Sequence, residues 1–294
     1  MADNNVSLYF NQIPSLVPIF IKAFTSRKPR FIDEVESFPK LSAEAKNIQI
    51  DHKHLKRYED LCGFKQKEFL PAPYLHIAAN PLMMSIITHP SFPIKALGLI
   101  HKQHDMTQHR PIRRYEHFDI VCKLDNIQKN DDFVEFQLTT KATLKDEIIW
   151  ESVGTFISRN PKAKLKRNRE KKPIQTEAET IWQEKEWELD YYLGQKYARI
   201  SGDYNPIHIH KRTARLFGFR RHIAHGMWML AHCAAQFHGA FDSYKLKTQF
   251  NAPVFLPSKL NFLYDKTSNL IKFRVSNPRN KSKIYVSGTI TKIN

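Results

Sequence analysis

Cysteine and glycine are both scarce in this chain. The 294 residues include three cysteines, Cys62, Cys122 and Cys233, and nine glycines. The cysteines lie far apart and no CxxC occurs, so they form no disulfide framework and no structural zinc site, and a reducing compartment is expected. So little glycine, with 16 prolines and no periodic pattern, excludes a fibrous or low-complexity protein. No run of 18 apolar residues exists, so a membrane-spanning helix is not expected. The opening MADNNVSLYFNQIPSLVPIFIKAF lacks a basic leader before its apolar part, and Pro14 and Pro18 interrupt that part, which makes it a poor signal peptide. The expected location is cytoplasmic.

Positive charge, by contrast, is in surplus. Lys and Arg number 46 against 29 Asp and Glu, a formal net charge of +17. Such a surface concentrates anionic partners: nucleic acid, membrane headgroups, an acidic protein or a small phosphorylated ligand. It could equally be a solvated face. Seven of the cations fall in NPKAKLKRNREKK, with no aromatic residue between them as a single-strand stacking platform would need. Residues 161–177 are therefore read as a basic linker. It divides the chain into units at 1–160 and 178–294, and a hydrophobic content of 41% suffices for one large core or two ordinary ones.

Each unit repeats a coarse order, an apolar helix followed by strands. NPLMMSIITH reads as buried helix, and FVEFQLTT alternates Val134, Phe136 and Leu138 with Glu135, Gln137 and Thr139, the period of a half-buried strand. IIWESVGTFISR is a further strand. In the second unit GMWMLAHCAAQFHGAF reads as helix, while IKFRVSN and KIYVSGTITKI read as strands joined by a turn at NPRNK. A helix on one face of an antiparallel sheet is an α+β architecture.

The stretch SGDYNPIHIH, 201–210, carries the chemistry. Pro206 disfavours helix at Asn205, so the preceding helix ends near Gly202 or Asp203 and a new turn starts beyond it. Asp203 and His208 then stand on separate elements and can face each other across a gap. A carboxylate and an imidazole so placed can hold one water, take a proton from it and return one. Read alone, the pair could equally be a helix cap and a surface histidine. Further on, RRHIAHGMWML places Gly226 at a helix start, where free N–H groups and close backbone approach suit an oxyanion hole. Gly226 could instead serve only helix–sheet packing, and His225 reads best as a satisfied structural histidine. The cations Lys211, Arg212, Arg215, Arg220 and Arg221 between the two motifs could meet phosphates or water.

Taken together, YARISGDYNPIHIHKRTA and GFRRHIAHGMWMLA resemble the MaoC-like (R)-specific enoyl-CoA hydratase/dehydratase family. Tyr197, Ser201, Gly202, Asp203, Asn205, Pro206, Ile207, His208 and Ala214 fit its pattern. The resemblance implies a double hot dog fold, two units each with a long helix wrapped by an antiparallel sheet. It implies that Asp203 and His208 are the catalytic dyad, that the Gly226 N–H polarises the thioester carbonyl, and that Asn205 orients the dyad. Arg220, Arg221 and His225 are candidates for contacting substrate. The implied reaction is reversible hydration of trans-2-enoyl thioesters to (R)-3-hydroxyacyl thioesters. The implied partner is acyl-CoA or an acyl carrier protein thioester, without cofactor, metal or nucleic acid, in a monomer of two fused units or a homodimer. The first unit lacks the Asp-x-Asn-Pro-x-His pattern, so one active site per chain is expected. His101, His104 and His109 fall in an expected strand and show no firm metal-ligand geometry. Other readings are a non-catalytic acyl-thioester binding protein and a hot dog thioesterase.

Overall fold

The computed structural model describes residues 5–32, 38–163 and 182–293. Of the expected linker only 161–163 fall within it, and 164–177 lie outside the described residues. An opening strand β1 (Asn5–Phe10) and helix α1 (Leu16–Thr25) precede the first unit. That unit contains β2 (Lys40–Ile48), α2 (His52–Cys62), α3 (Ala72–Thr88), β3 (Ile100–Gln108), β4 (Phe118–Lys129), β5 (Phe133–Leu144) and β6 (Glu147–Arg159). The second contains β7 (Gln183–Leu189), α4 (Leu193–Ser201), α5 (Pro206–Ile209), α6 (Lys211–Arg215), α7 (Gly226–Ala235), β8 (Tyr244–Phe250), β9 (Ser258–Lys266), β10 (Leu270–Asn277) and β11 (Asn280–Lys292).

The two units share one strand order. The first runs β2-β4-β5-β6-β3 and the second β7-β9-β10-β11-β8 within a single 11-stranded sheet. They meet where β3 pairs antiparallel with β8, Gln103 opposite Gln249 and Gln108 opposite Tyr244. β1 adds to the far edge as a parallel partner of β2. A strand thus precedes the helix in each unit, an element that the charged sequence EKEWEL disguises in β7: only Trp187 and Leu189 are buried there.

Alternation explains the sheet. In β5 Val134, Phe136 and Leu138 point inward while their neighbours are partly exposed. The central helix α3 is apolar on nearly every side and buries Leu75, Ala79, Leu82 and Ile86 completely or almost so. It runs through Pro81, which denies one N–H to the helix. Its counterpart α7 buries Met229, Leu230, Ala231 and Cys233. The first unit also binds α7 directly. Trp228 Nε1 donates to the Leu61 carbonyl at 3.2 Å and His232 Nδ1 to the Cys62 carbonyl at 2.8 Å, so two side chains of α7 satisfy the last carbonyls of α2.

Candidate active site

The helix α4 stops at Ser201, with Gly202 as its cap at φ 70°. Two side chains of the first unit meet the end of this helix. His54 Nε2 donates to the Ile200 carbonyl at 2.8 Å, and its Nδ1 lies 2.8 Å from the Tyr74 hydroxyl. Asn80 Nδ2 donates to the Ser201 carbonyl at 3.1 Å. Beyond the cap the chain turns tightly. Asp203 accepts the Asn205 N–H on Oδ1 at 3.1 Å, and Asn205 caps α5 by accepting the Ile207 N–H at 3.4 Å. Asn205 therefore reaches the carboxylate through its backbone, and its side chain fixes the start of α5. Close packing of α4 on α5 needs Gly194: a Cβ there would collide with the His208 carbonyl.

His208 is buried, and its Nδ1 donates to the Ile223 carbonyl at 2.9 Å. A carbonyl only accepts, so Nδ1 carries the proton and Nε2 keeps its lone pair. Ile223 is itself held, its N–H donating to the Ile207 carbonyl at 3.0 Å while Ala224 donates to Val254 at 2.9 Å. His225 stacks on His208 with ring centroids 3.8 Å apart. Its Nε2 donates to the Asp203 carbonyl at 3.0 Å and lies 3.7 Å from Oδ2. His225 thus ties the helix start to the acidic turn.

Burial acts on the charges of this site. Desolvation raises the Asp203 carboxyl, but His225, His208 and the Asn205 N–H outweigh it and hold the group below the usual carboxylate value. Desolvation lowers His208, against the pull of Asp203, and lowers His225 to about 3. At neutral pH the site therefore holds an ionised Asp203 beside a neutral His208.

Gly226 is the first residue of α7, and His225 at its N-cap makes no side-chain capping bond. The helix start thus keeps its N–H groups for another acceptor. A Cβ at Gly226 would lie 3.2 Å from the Phe250 ring. Arg220 and Arg221 are exposed, and the Arg220 guanidinium lies over Phe255 at 4.5 Å.

Sequence reasoning missed the first unit's share of this region. The buried histidines His76 on α3 and His104 on β3 pack edge to face at 4.7 Å. His104 Nδ1 lies 3.3 Å from His101 Nε2. The His101 ring is 5.0 Å from Phe250, the residue against Gly226. Burial lowers His76 to about 4 and His101 to about 3, with Asp203 opposing in both. The spacing of His101 and His104 on a strand was visible, but their convergence with His76, from a distant helix, was not. His109 lies apart, 3.3 Å from Glu151.

Among the described residues, Asp203, His208 and His225 bring ligand-type atoms within 4.8 Å of one another. The two imidazoles are stacked at 26° and each already donates one ring N–H to a carbonyl.

Comparison with known proteins agrees with this architecture. Residues 171–284 match the family model of the MaoC like domain. Over these residues the second unit is similar to the MaoC like domain, and the chain as a whole has the double hot dog fold. Over 249 residues the chain is 26% identical to 3-hydroxyacyl-thioester dehydratase X of Mycobacterium tuberculosis, covering 83% of this chain and 87% of that relative. The crystal structure of HtdX from the same organism superposes with a TM-score of 0.74 at 23% identity, over 86% of this chain and all (100%) of that one. A MaoC-like dehydratase from Phytophthora capsici superposes at 0.67 with 16% identity, over 89% of this chain and 98% of that one.

Proposed function

We propose that the protein is a hydro-lyase that adds water reversibly across the C2–C3 double bond of trans-2-enoyl thioesters to give (R)-3-hydroxyacyl thioesters. The observation that carries this reading is the fixed tautomer of His208, which leaves Nε2 basic beside the Asp203 carboxylate. The water sits between the two groups. Asp203, the weaker base, orients it, and His208 Nε2 takes its proton as the oxygen bonds to C3. The π pair moves onto C2 and the thioester oxygen, where the N–H of Gly226 stabilises the negative charge. The imidazolium then returns its proton to C2, so one water is consumed and no group is left charged.

The first unit, without an Asp–His pair of its own, is in this reading a scaffold for the single site. Residues 161–177 join the units, and Asn205, Arg220, Arg221 and His225 are supporting residues, none of them a proton carrier. The substrate is a thioester of CoA or of an acyl carrier protein. No cofactor or metal takes part, and the exposed Arg220 and Arg221 suit a phosphate-bearing or acidic carrier. The protein acts in the cytoplasm.

Incubation with crotonyl-CoA and a longer enoyl-CoA tests the reading. Loss of the enoyl-thioester absorbance with formation of the (R)-3-hydroxyacyl product is expected. Release of free thiol instead would make the protein a thioesterase, and binding without turnover would make it an acyl-thioester carrier.

A further inference from the structure

The helix α1 is apolar on two faces. Ile19, Phe20 and Ala23 are buried against the body of the protein. Val17, Ile21 and Phe24, spaced at i, i+4 and i+7, form a second stripe that is exposed by 68%, 58% and 44%. Tyr9 on the preceding strand is exposed by 74%. Residues 5–32 contain four cations, Lys22, Arg27, Lys28 and Arg30, and no Asp or Glu; Asp33, Glu34 and Glu36 follow them in the sequence. Lys28 is occupied by the His89 carbonyl, while Lys22, Arg27 and Arg30 are exposed.

We propose that α1 docks the protein on an anionic lipid surface, with the Val17–Ile21–Phe24 stripe entering the headgroup–acyl boundary and Lys22, Arg27 and Arg30 pairing with lipid phosphates. An exposed apolar stripe with exposed cations at its end, on a chain of net charge +17, suits a helix that lies in the plane of an anionic membrane. The charge selects against a second copy of this chain packed on the same face, which would bring a second Lys22, Arg27 and Arg30 to the contact. Size selects against a folded protein partner, since a stable interface buries about 800 Å² on each side and carries its own hydrogen bonds. Three side chains without a polar atom supply neither, whereas partition into lipid needs no matching surface. The start of α1 adjoins the Gly202 turn, where the Leu16 side chain fills the space beside the glycine. The docking itself does not depend on the proposed chemistry.

Cosedimentation of the full chain with vesicles tests this, using phosphatidylcholine alone and phosphatidylcholine mixed with phosphatidylglycerol, each at low and high salt. The wild type pellets with the anionic vesicles at low salt and stays in solution with the zwitterionic ones. The variant Val17→Gln/Ile21→Gln/Phe24→Gln loses about tenfold or more in vesicle affinity, since partition scales with the apolar area inserted. Lys22→Glu/Arg27→Glu/Arg30→Glu loses it as well. Crotonyl-CoA turnover in solution is unchanged in both, which separates this result from that of the catalytic reading. Failure of the wild type to pellet with anionic vesicles overturns the proposal. So does undiminished pelleting of the glutamine variant, or wild-type self-association that this variant abolishes.

Discussion

His208 donates its Nδ1 proton to the carbonyl of Ile223 across 2.9 Å, a contact between residues fifteen positions apart in sequence. It decides the chemistry of the site, because a histidine held in this tautomer presents a lone pair, not a proton, to whatever lies beside Asp203. Asp203→Asn and His208→Ala should therefore each lower hydration by about 10²-fold or more. The double variant should be little worse than either single one, since both groups act on one water. Steady-state rates with crotonyl-CoA, beside circular dichroism to confirm folding, check this. A folded single variant with normal turnover removes the assignment.

Gly226 follows His225, the ring that stacks on His208, and opens α7. Its missing Cβ would press on the Phe250 ring from 3.2 Å, so alanine there forces the ring or the helix start to move by a few tenths of an ångström. Gly226→Ala should reduce kcat by about tenfold or more as its N–H leaves the line of the thioester oxygen. Adding Phe250→Ala should restore part of the loss by making room. A normal kcat in the single variant would confine Gly226 to packing.

The first unit reaches the turn that carries Asp203 through His54 and Asn80, which satisfy the Ile200 and Ser201 carbonyls ahead of it. Removing either donor leaves a half-buried carbonyl unpaired at a cost of about 1 kcal/mol and loosens the turn. Asn80→Ala and His54→Phe should lower kcat by about tenfold with little change in KM, as expected when positioning is lost but binding is not. His54→Gln, which still donates, should recover part of the rate. Equal thermal destabilisation with unchanged kcat would make these contacts structural only.

Local signals explain what the sequence made legible. Pro206 and Gly202 mark the break that separates Asp203 from His208, and α4 does end at Ser201. Strict alternation located β5 and β10, and the all-round apolar helices α3 and α7 stood out from their surroundings. The strand β7 was missed because its exposed face is charged and its buried one has only two residues. The start of α3 was missed because His76 and Pro73 resemble a loop until the helix buries them. Contacts of the kind made by His54, Asn80, His76 and Phe250 join residues distant in sequence. Their partners are fixed only when β3 pairs with β8 and the units close on each other.

Buried neutral histidines give the protein a characteristic response to acid. His76 is lowered to about 4, and His101 and His225 to about 3, in each case first by desolvation. In the unfolded chain each titrates near 6.5. Between these values the unfolded state binds more protons than the folded one, so stability rises with pH and is lost as pH falls. Asp203, lowered in the fold, acts in the same direction at still lower pH. Each such histidine contributes a slope of up to about 1.4 kcal/mol per pH unit below the unfolded value. Urea midpoints should therefore fall from pH 7 to pH 5, and His76→Phe should flatten the fall by roughly one histidine's share. Activity should follow a different curve, because it depends on the unprotonated Nε2 of His208. Burial lowers that group against the pull of Asp203, so the acid limb of kcat/KM should lie below the ordinary histidine range and stay in place in the His76→Phe variant. Flat urea midpoints across this window would show that the histidines are not held neutral. An acid limb that moved with His76→Phe would instead put His76 among the groups that set the proton affinity of the dyad.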